Sequence, residues 1–268
     1  MNTLSVNKTC EEVKTFNQEC AGSTRGFVTS NPQMLRIIDI ARHVAQTDVP
    51  ILILGESGVG KDVLASYIHR HSDRADGPFV RVNCAALPDE LLESELFGYD
   101  QGAFTGAARD KPGKFELAHN GTVLLDEIGE MSPHLQAKLL HVLQDGEFSR
   151  LGARRPTRVN VRVLAATNRK LEEAVLKGEF RNDLYFRLNV ITLSIPPLRE
   201  RRGDILLLCR YFLGQAGTIS KSTISTGDRQ SRSRRSRKKR CPAYVGANGM
   251  ESERGGPPPA HIVQGVSQ

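Results

Sequence analysis

The chain contains no tryptophan, and aromatic residues make up only 6% of its 268 positions. Its five cysteines, Cys10, Cys20, Cys84, Cys209 and Cys241, are odd in number, widely spread and without a CxxC pair. That pattern argues against a disulfide framework and a cysteine-based zinc site, and it suits a reducing compartment. No run approaches the roughly 18 apolar residues of a membrane span, and residues 1–25 lack the apolar core of a signal peptide. The expectation is a cytoplasmic protein with no membrane contact. An acidic excess is missing too: the net charge is +7, but "SRSRRSRKKR" at 231–240 carries seven basic side chains and the other 258 residues balance. The body therefore gives no electrostatic sign of a nucleic-acid partner. The basic run alone can tether nucleic acid non-specifically, through salt-sensitive phosphate contacts without sequence readout; a solvated charge run is the plainer alternative.

What the chain does have is alternation of two periods. In "NPQMLRIIDIARHVAQ", Asn31 can cap a helix opened by Pro32, with Met34, Ile37, Ile38, Ala41, Val44 and Ala45 on one face. "PILILG" is a short continuous apolar run, as expected of a strand buried on both faces. The same reading gives a helix at "KDVLASYIHRHS", a strand at "FVRVN", a helix at "PDELLESELF", a strand at "GTVLLDE" and a helix through "HLQAKLLHVLQ" stopped near Gly146. It continues with one strand at "TRVNVRVLAATN", short helices at "KLEEAVLKG" and "RNDLYFRL", and a last strand at "NVITLSI". Strands alternating with helices predict an α/β domain with a mostly parallel sheet. The pattern stops at about Leu213; the expected domains are a poorly structured leader at 1–25, a core at 26–213 and a disordered, Gly/Ser/Pro-rich basic tail at 214–268.

"GESGVGK", Gly55 to Lys61, fits GxxxxGK between a buried strand and a helix. Gly55, Glu56, Ser57, Gly58, Val59 and Gly60 form the loop whose backbone N–H groups can turn towards phosphate oxygens, and Lys61 can reach the β- and γ-phosphates. Asp62 stands where a Ser or Thr hydroxyl would ligate magnesium. "TVLLDE" ends a buried strand with Asp126 and Glu127. On the ligand-facing edge of a parallel sheet, Asp126 can hold Mg²⁺ through water and Glu127 can polarise the attacking water. "AATN" brings Thr167 and Asn168 to the end of another strand, where a polar sensor of the γ-phosphate could sit. Arg181 and Arg187 in "FRNDLYFRL" are either solvated surface charges or the transition-state cations that a neighbouring subunit supplies. "GAFTGA", Gly102 to Ala107, has neither helical nor strand period; its lone Phe104 is either a buried plug or a probe held outwards on glycine hinges.

Together these motifs resemble the central AAA+ ATPase domain of bacterial enhancer-binding proteins, the activators of sigma-54 RNA polymerase, over about residues 26–213. The resemblance is carried by "ESELFGYDQGAFTGA", "GTVLLDEIGEM", "VRVLAATN", "FRNDLYFRLNV" and "PPLRERRGDI". It implies an AAA+ P-loop NTPase fold, ATP and Mg²⁺, and a ring, hexameric in the family. It also implies that Gly102, Ala103, Phe104, Thr105, Gly106 and Ala107 contact sigma-54 of the polymerase holoenzyme, with Phe104 and Thr105 at the contact. By the same resemblance, Gly55 to Asp62 bind ATP, an acid at position 62 being usual in the family. Asp126 and Glu127 are the magnesium and water-activating acids, and Asn83 holds Glu127 idle until the loop engages its target. Thr167 and Asn168 are the first sensor, and Arg181 and Arg187 are fingers acting across the subunit interface.

The chain departs from the family pattern where the helical lid should continue: only its first helix, at about 203–213, is recognisable. A "GNxREL"-like sensor stretch, a receiver domain and a DNA-reading helix-turn-helix are not found in these residues, and composition changes abruptly at Gly214, as after a shifted reading frame. Two expectations follow. One is an ATP-hydrolysing activator of sigma-54 polymerase; the other is a truncated nucleotide-binding fragment that hydrolyses little and poisons rings of intact activators.

Overall fold

The two periods sort the chain into layers. The computed structural model describes residues 27–224; the expectations for the leader and for the basic run at 231–240 lie outside the described residues. In chain order the elements are α1 (Pro32–Ala45), β1 (Ile51–Leu54), α2 (Lys61–Arg70), β2 (Phe79–Asn83), α3 (Asp89–Phe97), β3 (Gly98–Tyr99), β4 (Lys111–Pro112) and α4 (Lys114–Leu117). They continue with β5 (Thr122–Asp126), a 3-10 turn (Ile128–Glu130), α5 (Pro133–Asp145), β6 (Glu147–Phe148), β7 (Thr157–Arg158) and β8 (Arg162–Thr167). The series closes with α6 (Leu171–Leu176), α7 (Asn182–Leu188), β9 (Ile191–Ser194), a second 3-10 turn (Leu198–Glu200) and α8 (Arg202–Ile224).

Five strands form one sheet in the order β2-β5-β8-β1-β9, and every pairing within it is parallel. Because side chains alternate along a strand, each apolar run feeds two cores. Leu52, Val123, Leu125, Val163 and Ala165 face one core, completed by Leu92, Leu96, Phe97, Phe115, Leu135, Leu139 and Leu184. Ile51, Ile53, Leu124, Leu164 and Leu193 face the other, closed by Met34, Ile38, Leu64 and Ile68. Truncating any of these buried leucines to Ala costs roughly 2–5 kcal/mol. α1 starts where the sequence reading put it: Asn31 Oδ1 accepts from Gln33 N at 2.9 Å and Met34 N at 3.1 Å. At its other end, the buried Arg162 donates to Ala45 O at 2.6 Å and Val44 O at 2.8 Å, so a cation covers the terminal carbonyls.

Two expectations need correction. The single strand expected at "TRVNVRVLAATN" is two: β7 pairs antiparallel with β6 in a separate hairpin, while β8 joins the main sheet. The break falls at Val159 and Asn160, where Val159 N donates to Gly146 O at 2.7 Å and Asn160 O accepts from Asn120 N at 2.8 Å. The helix expected to end at about 213 continues to Ile224, so residues 214–224 are helical rather than the start of the tail. Gly214 and Gly217 each weaken a helix by about 1 kcal/mol, but no proline lies between 203 and 224 to end it. The short pair β3–β4 and helix α4 had no counterpart in the sequence reading; β3–β4 closes the base of the segment that contains GAFTGA.

Candidate functional site

All strands of the main sheet run the same way, so the turns after β1, β5 and β8 open on one edge. After β1 the chain makes the loop Gly55–Gly60, anchored when Gly55 N donates to Thr167 O at 3.2 Å. A side chain at position 55 would meet Val59 Cγ2 at 2.8 Å, and Gly60 has φ +103°, a left-handed conformation that favours glycine. α2 then begins at Lys61, a residue only 6% exposed. Its Nζ donates to Gly55 O at 3.0 Å, Glu56 O at 3.4 Å and Glu127 Oε1 at 3.1 Å.

Asp126 and Glu127 arrive at the same place from β5. Glu127 adopts φ 53°, ψ 47°, a left-handed backbone that a non-glycine residue rarely takes, and its N–H donates to Asp126 Oδ1 at 3.1 Å. That bend turns its carboxylate to Lys61 on one side and to Asn168 N, at 3.2 Å, on the other. Burial, and then the neighbouring charge of Glu127, hold the Asp126 carboxyl above its ordinary range. The Cys84 thiol, buried beside the same pair, is pushed up to about 12 by desolvation and by both acids. Thr167 is fully buried, and its Oγ1 accepts from Arg169 N at 3.1 Å.

Around Lys61, Asp126 and Glu127 lies a cavity of about 860 Å³, within the range of small-molecule sites. It is lined by the loop from Glu56 to Asp62 and the two acids, and also by the apolar residues Phe27, Val28, Leu198, Leu208, Tyr211 and Phe212. Three further residues shape it that sequence reasoning left without a role. Arg199 grips Glu56 with both η nitrogens, at 2.7 and 2.6 Å, and holds that carboxyl below its usual range. Arg201 donates to Val59 O at 2.9 Å. Asp204, fully buried, accepts from Thr29 Oγ1 at 2.6 Å and Ser30 N at 2.7 Å, which ties the start of the described chain to α8. "PPLRERRGDI" carries the signal: arginines clustered between a proline pair and an acid.

Other expected residues lie elsewhere. The expected hold of Asn83 on Glu127 is not present: Asn83 Oδ1 accepts from Ala85 N at 2.9 Å, capping its own turn, and Lys61 and Asn168 hold the glutamate instead. Arg181 pairs with Asp183 at 2.7 Å, Arg187 donates to Leu143 O at 2.8 Å, and neither lines the cavity. In the GAFTGA segment Gly102 and Gly106 have φ +80° and +104°, and Gly102 N donates to Ala107 O at 3.0 Å, closing a tight loop. Ala107 is buried, whereas Phe104 is 46% exposed and leans edge-on against Tyr99, its ring 4.9 Å away. The base of the loop is also stitched to the residue run after β6: Asp100 N donates to Leu151 O and Leu151 N to Gly98 O, each at 3.0 Å.

Among the described residues no cluster of three or more His, Cys, Asp or Glu could cage a metal ion. The donor set instead fits a hard cation brought in on a polyphosphate, to which the protein adds one or two carboxylate oxygens.

A sequence model of the sigma-54 interaction domain matches residues 27–194. The chain is similar to the Nif-specific regulatory protein of Azotobacter vinelandii, with 58% identity over 190 residues, 71% of this chain and 36% of that protein. It is similar to the protein of the same name from Klebsiella oxytoca, with 52% identity over 211 residues, 77% of this chain and 40% of that protein. It thus spans well under half the length of these curated relatives. Among solved structures it is similar to NtrX from Brucella abortus in complex with ATP, with TM-score 0.68 and 36% identity, covering 80% of this chain and 46% of that one. The parallel sheet, the phosphate loop and these neighbours identify the fold as an AAA+ P-loop NTPase core, and the chain belongs to the sigma-54 interaction domain family.

Proposed function

We propose that this chain binds ATP with Mg²⁺ in the cavity around Lys61 and that copies assembled in a ring couple its hydrolysis to remodelling of sigma-54 RNA polymerase. The observation that carries the reading is the meeting of Lys61, Asp126 and Glu127 at one sheet edge, in a cavity whose apolar lining residues suit a purine base. Residues 55–62 would surround the phosphates, with Lys61 on the β- and γ-oxygens. Asp126 would hold the magnesium through water, and that ion, when bound, neutralises charge building on the phosphate oxygens. Glu127 would take a proton from the attacking water as its oxygen bonds to the γ-phosphorus and the bond to the ADP oxygen breaks. Thr167 and Asn168 would sense the γ-phosphate, since Asn168 N already touches the Glu127 carboxylate. Arg181 and Arg187, which do not line their own cavity, would serve the site of the adjacent copy. The ATP-bound state of the NtrX relative and the two Nif-specific relatives support the nucleotide and the regulatory role.

The loop Gly102–Ala107 would be the part that touches sigma-54, offering the half-exposed Phe104 ring and Thr105 on glycine hinges. Hydrolysis and contact then separate by mutation. Glu127→Ala should reduce ATP turnover by about a hundredfold or more. Phe104→Ala should leave turnover within about twofold, yet abolish sigma-54-dependent transcription, because a truncated central anchor loses most of a small interface. Normal transcription by Phe104→Ala would remove the loop from the contact.

A second reading rests on the Lys61–Glu127 ion pair, which occupies the carboxylate that would activate water. If the pair persists with ATP bound, the chain is a nucleotide holder with little turnover. Tight ATP binding with single-turnover hydrolysis no faster than in Glu127→Ala would favour that reading.

A further inference from the structure

Gln136 is a polar side chain among apolar neighbours on the core face of α5, with 0% exposure, beside Leu135, Leu139 and Leu140. Its amide makes three hydrogen bonds, with both N–H groups donating. Nε2 donates to Met131 O at 2.7 Å and to Glu179 O at 3.0 Å, while Oε1 accepts from Arg181 N at 2.8 Å. Met131 ends the 3-10 turn that follows Glu127, and Arg181 is the residue before α7. One amide therefore joins the turn below the two acids to the backbone of a candidate arginine finger. A parallel link runs beside it: Arg169 donates to Gly129 O at 2.9 Å, pairs with Glu130 at 2.9 Å and lies 3.9 Å from Glu179. Asn168, the residue before it, touches Glu127.

We propose that Gln136 is a positioning residue that transmits the state of the Asp126–Glu127 turn to Arg181, so that a site reading its own nucleotide sets the finger offered to the next copy. This rests on the trans role of Arg181 proposed above. A buried amide with three partners on two loops has one geometry that satisfies all of them, and moving either loop forces the other to follow or strands a polar group. When Glu127 leaves Lys61 for a water, the turn through Met131 shifts. The Gln136 amide follows the Met131 carbonyl, so the shift passes to the 179–181 backbone and changes where the Arg181 guanidinium reaches. A misplacement of about 1 Å in a catalytic cation costs on the order of a hundredfold in rate.

The test mixes two full-length chains. One carries Arg181→Ala and Arg187→Ala, with an intact site and no finger; the other carries Glu127→Gln, with a dead site and both fingers. Mixed ATPase activity then arises only where the second chain serves the first. Gln136→Met, of similar length and without hydrogen-bonding atoms, is added to one chain or the other. The expected result is a drop in kcat of about tenfold or more, with KM unchanged, when Gln136→Met sits in the finger-donating chain. In the site-bearing chain the drop should be much smaller. A loss that follows the site-bearing chain, or is equal in both placements, overturns the positioning role and leaves a structural one. Absence of mixed activity before Gln136 is touched overturns the trans-finger reading itself, and the inference with it. Gln136→Glu, which keeps the acceptor for Arg181 N, should recover part of the donor activity; placed in the same two chains, it decides the question if Gln136→Met fails to fold.

Discussion

Asp126 and Glu127 are neighbours in sequence with opposite electrostatic situations. Glu127 faces the ammonium of Lys61 at 3.1 Å, whereas Asp126 is desolvated and feels the charge of Glu127, which raises its pKa. A carboxyl whose folded pKa lies above its unfolded value, 3.8 for Asp, disfavours the folded state once it is ionised. The penalty is present in full above the raised folded pKa, shrinks as pH falls through it, and is gone below the unfolded value. Asp126→Asn should therefore raise Tm by a few degrees at pH 7 and leave it unchanged near pH 3, while weakening the response of nucleotide binding to Mg²⁺. Melting curves of both proteins from pH 3 to 8 check this. An Asp126→Asn variant no more stable than the parent at pH 7 would show that Lys61 compensates the Asp126 charge. The left-handed backbone of Glu127 belongs to the same trade: the strained bend brings its carboxylate to Lys61 and Asn168.

At the scale of elements, the segments with a sustained period were readable and the short ones were not. The helix opened by Asn31 and Pro32, the apolar strands at Ile51–Leu54 and Thr122–Asp126, and the helix after Pro133 follow from caps and hydrophobic spacing that act locally. β3 and β4, two residues each, exist only because Gly98 and Pro112 meet across 13 intervening residues, which no local pattern encodes. The division of "TRVNVRVLAATN" was hidden for a related reason: alternation marks a half-buried strand but not which sheet it joins. In the site, Lys61, Asp126 and Glu127 were legible from motif spacing. Arg199, Arg201 and Asp204 were not, because Glu56, Val59 and Thr29, the partners that fix them at the site, each lie more than a hundred residues away in the chain. The GAFTGA loop shows how such tertiary contacts shape an element. A Cβ at Gly152 would sit 2.9 Å from Ala103 Cβ, and Gly152 itself has φ +76°. Gly152→Val should add strain of about 1–2 kcal/mol at the base of the loop, remote from Lys61. Sigma-54 binding should weaken by about tenfold, with nucleotide affinity unchanged, as read by titration of labelled sigma-54 and of fluorescent ATP. Unchanged sigma-54 affinity would free the loop from any dependence on that packing.

On the scale of the whole molecule, the cavity of one copy is short of uncommitted positive charge. Arg199 is held by Glu56, Arg201 by Val59 O and Asp204, and Lys61 by Glu127, while Arg181 and Arg187 do not line it. The same stretch that bears those two arginines exposes large apolar groups, with Leu176 at 87%, Phe186 at 66% and Val190 at 53%. Covering such residues with a second copy gains about 25 cal/mol per Å² of apolar surface and brings the arginines to a neighbour in the same step. Catalysis and assembly should then be one event. ATP turnover per chain should climb steeply with protein concentration and reach a plateau, whereas nucleotide affinity should vary little. Phe186→Glu places a charge in the patch without touching the core, so the monomer should melt at the parent temperature. Its turnover curve should move to at least about tenfold higher concentration, as expected for loss of an aromatic anchor. Turnover per chain that stays constant from nanomolar to micromolar, in the parent and in Phe186→Glu alike, would mean that each chain completes its own site and that Arg181 and Arg187 are surface charges.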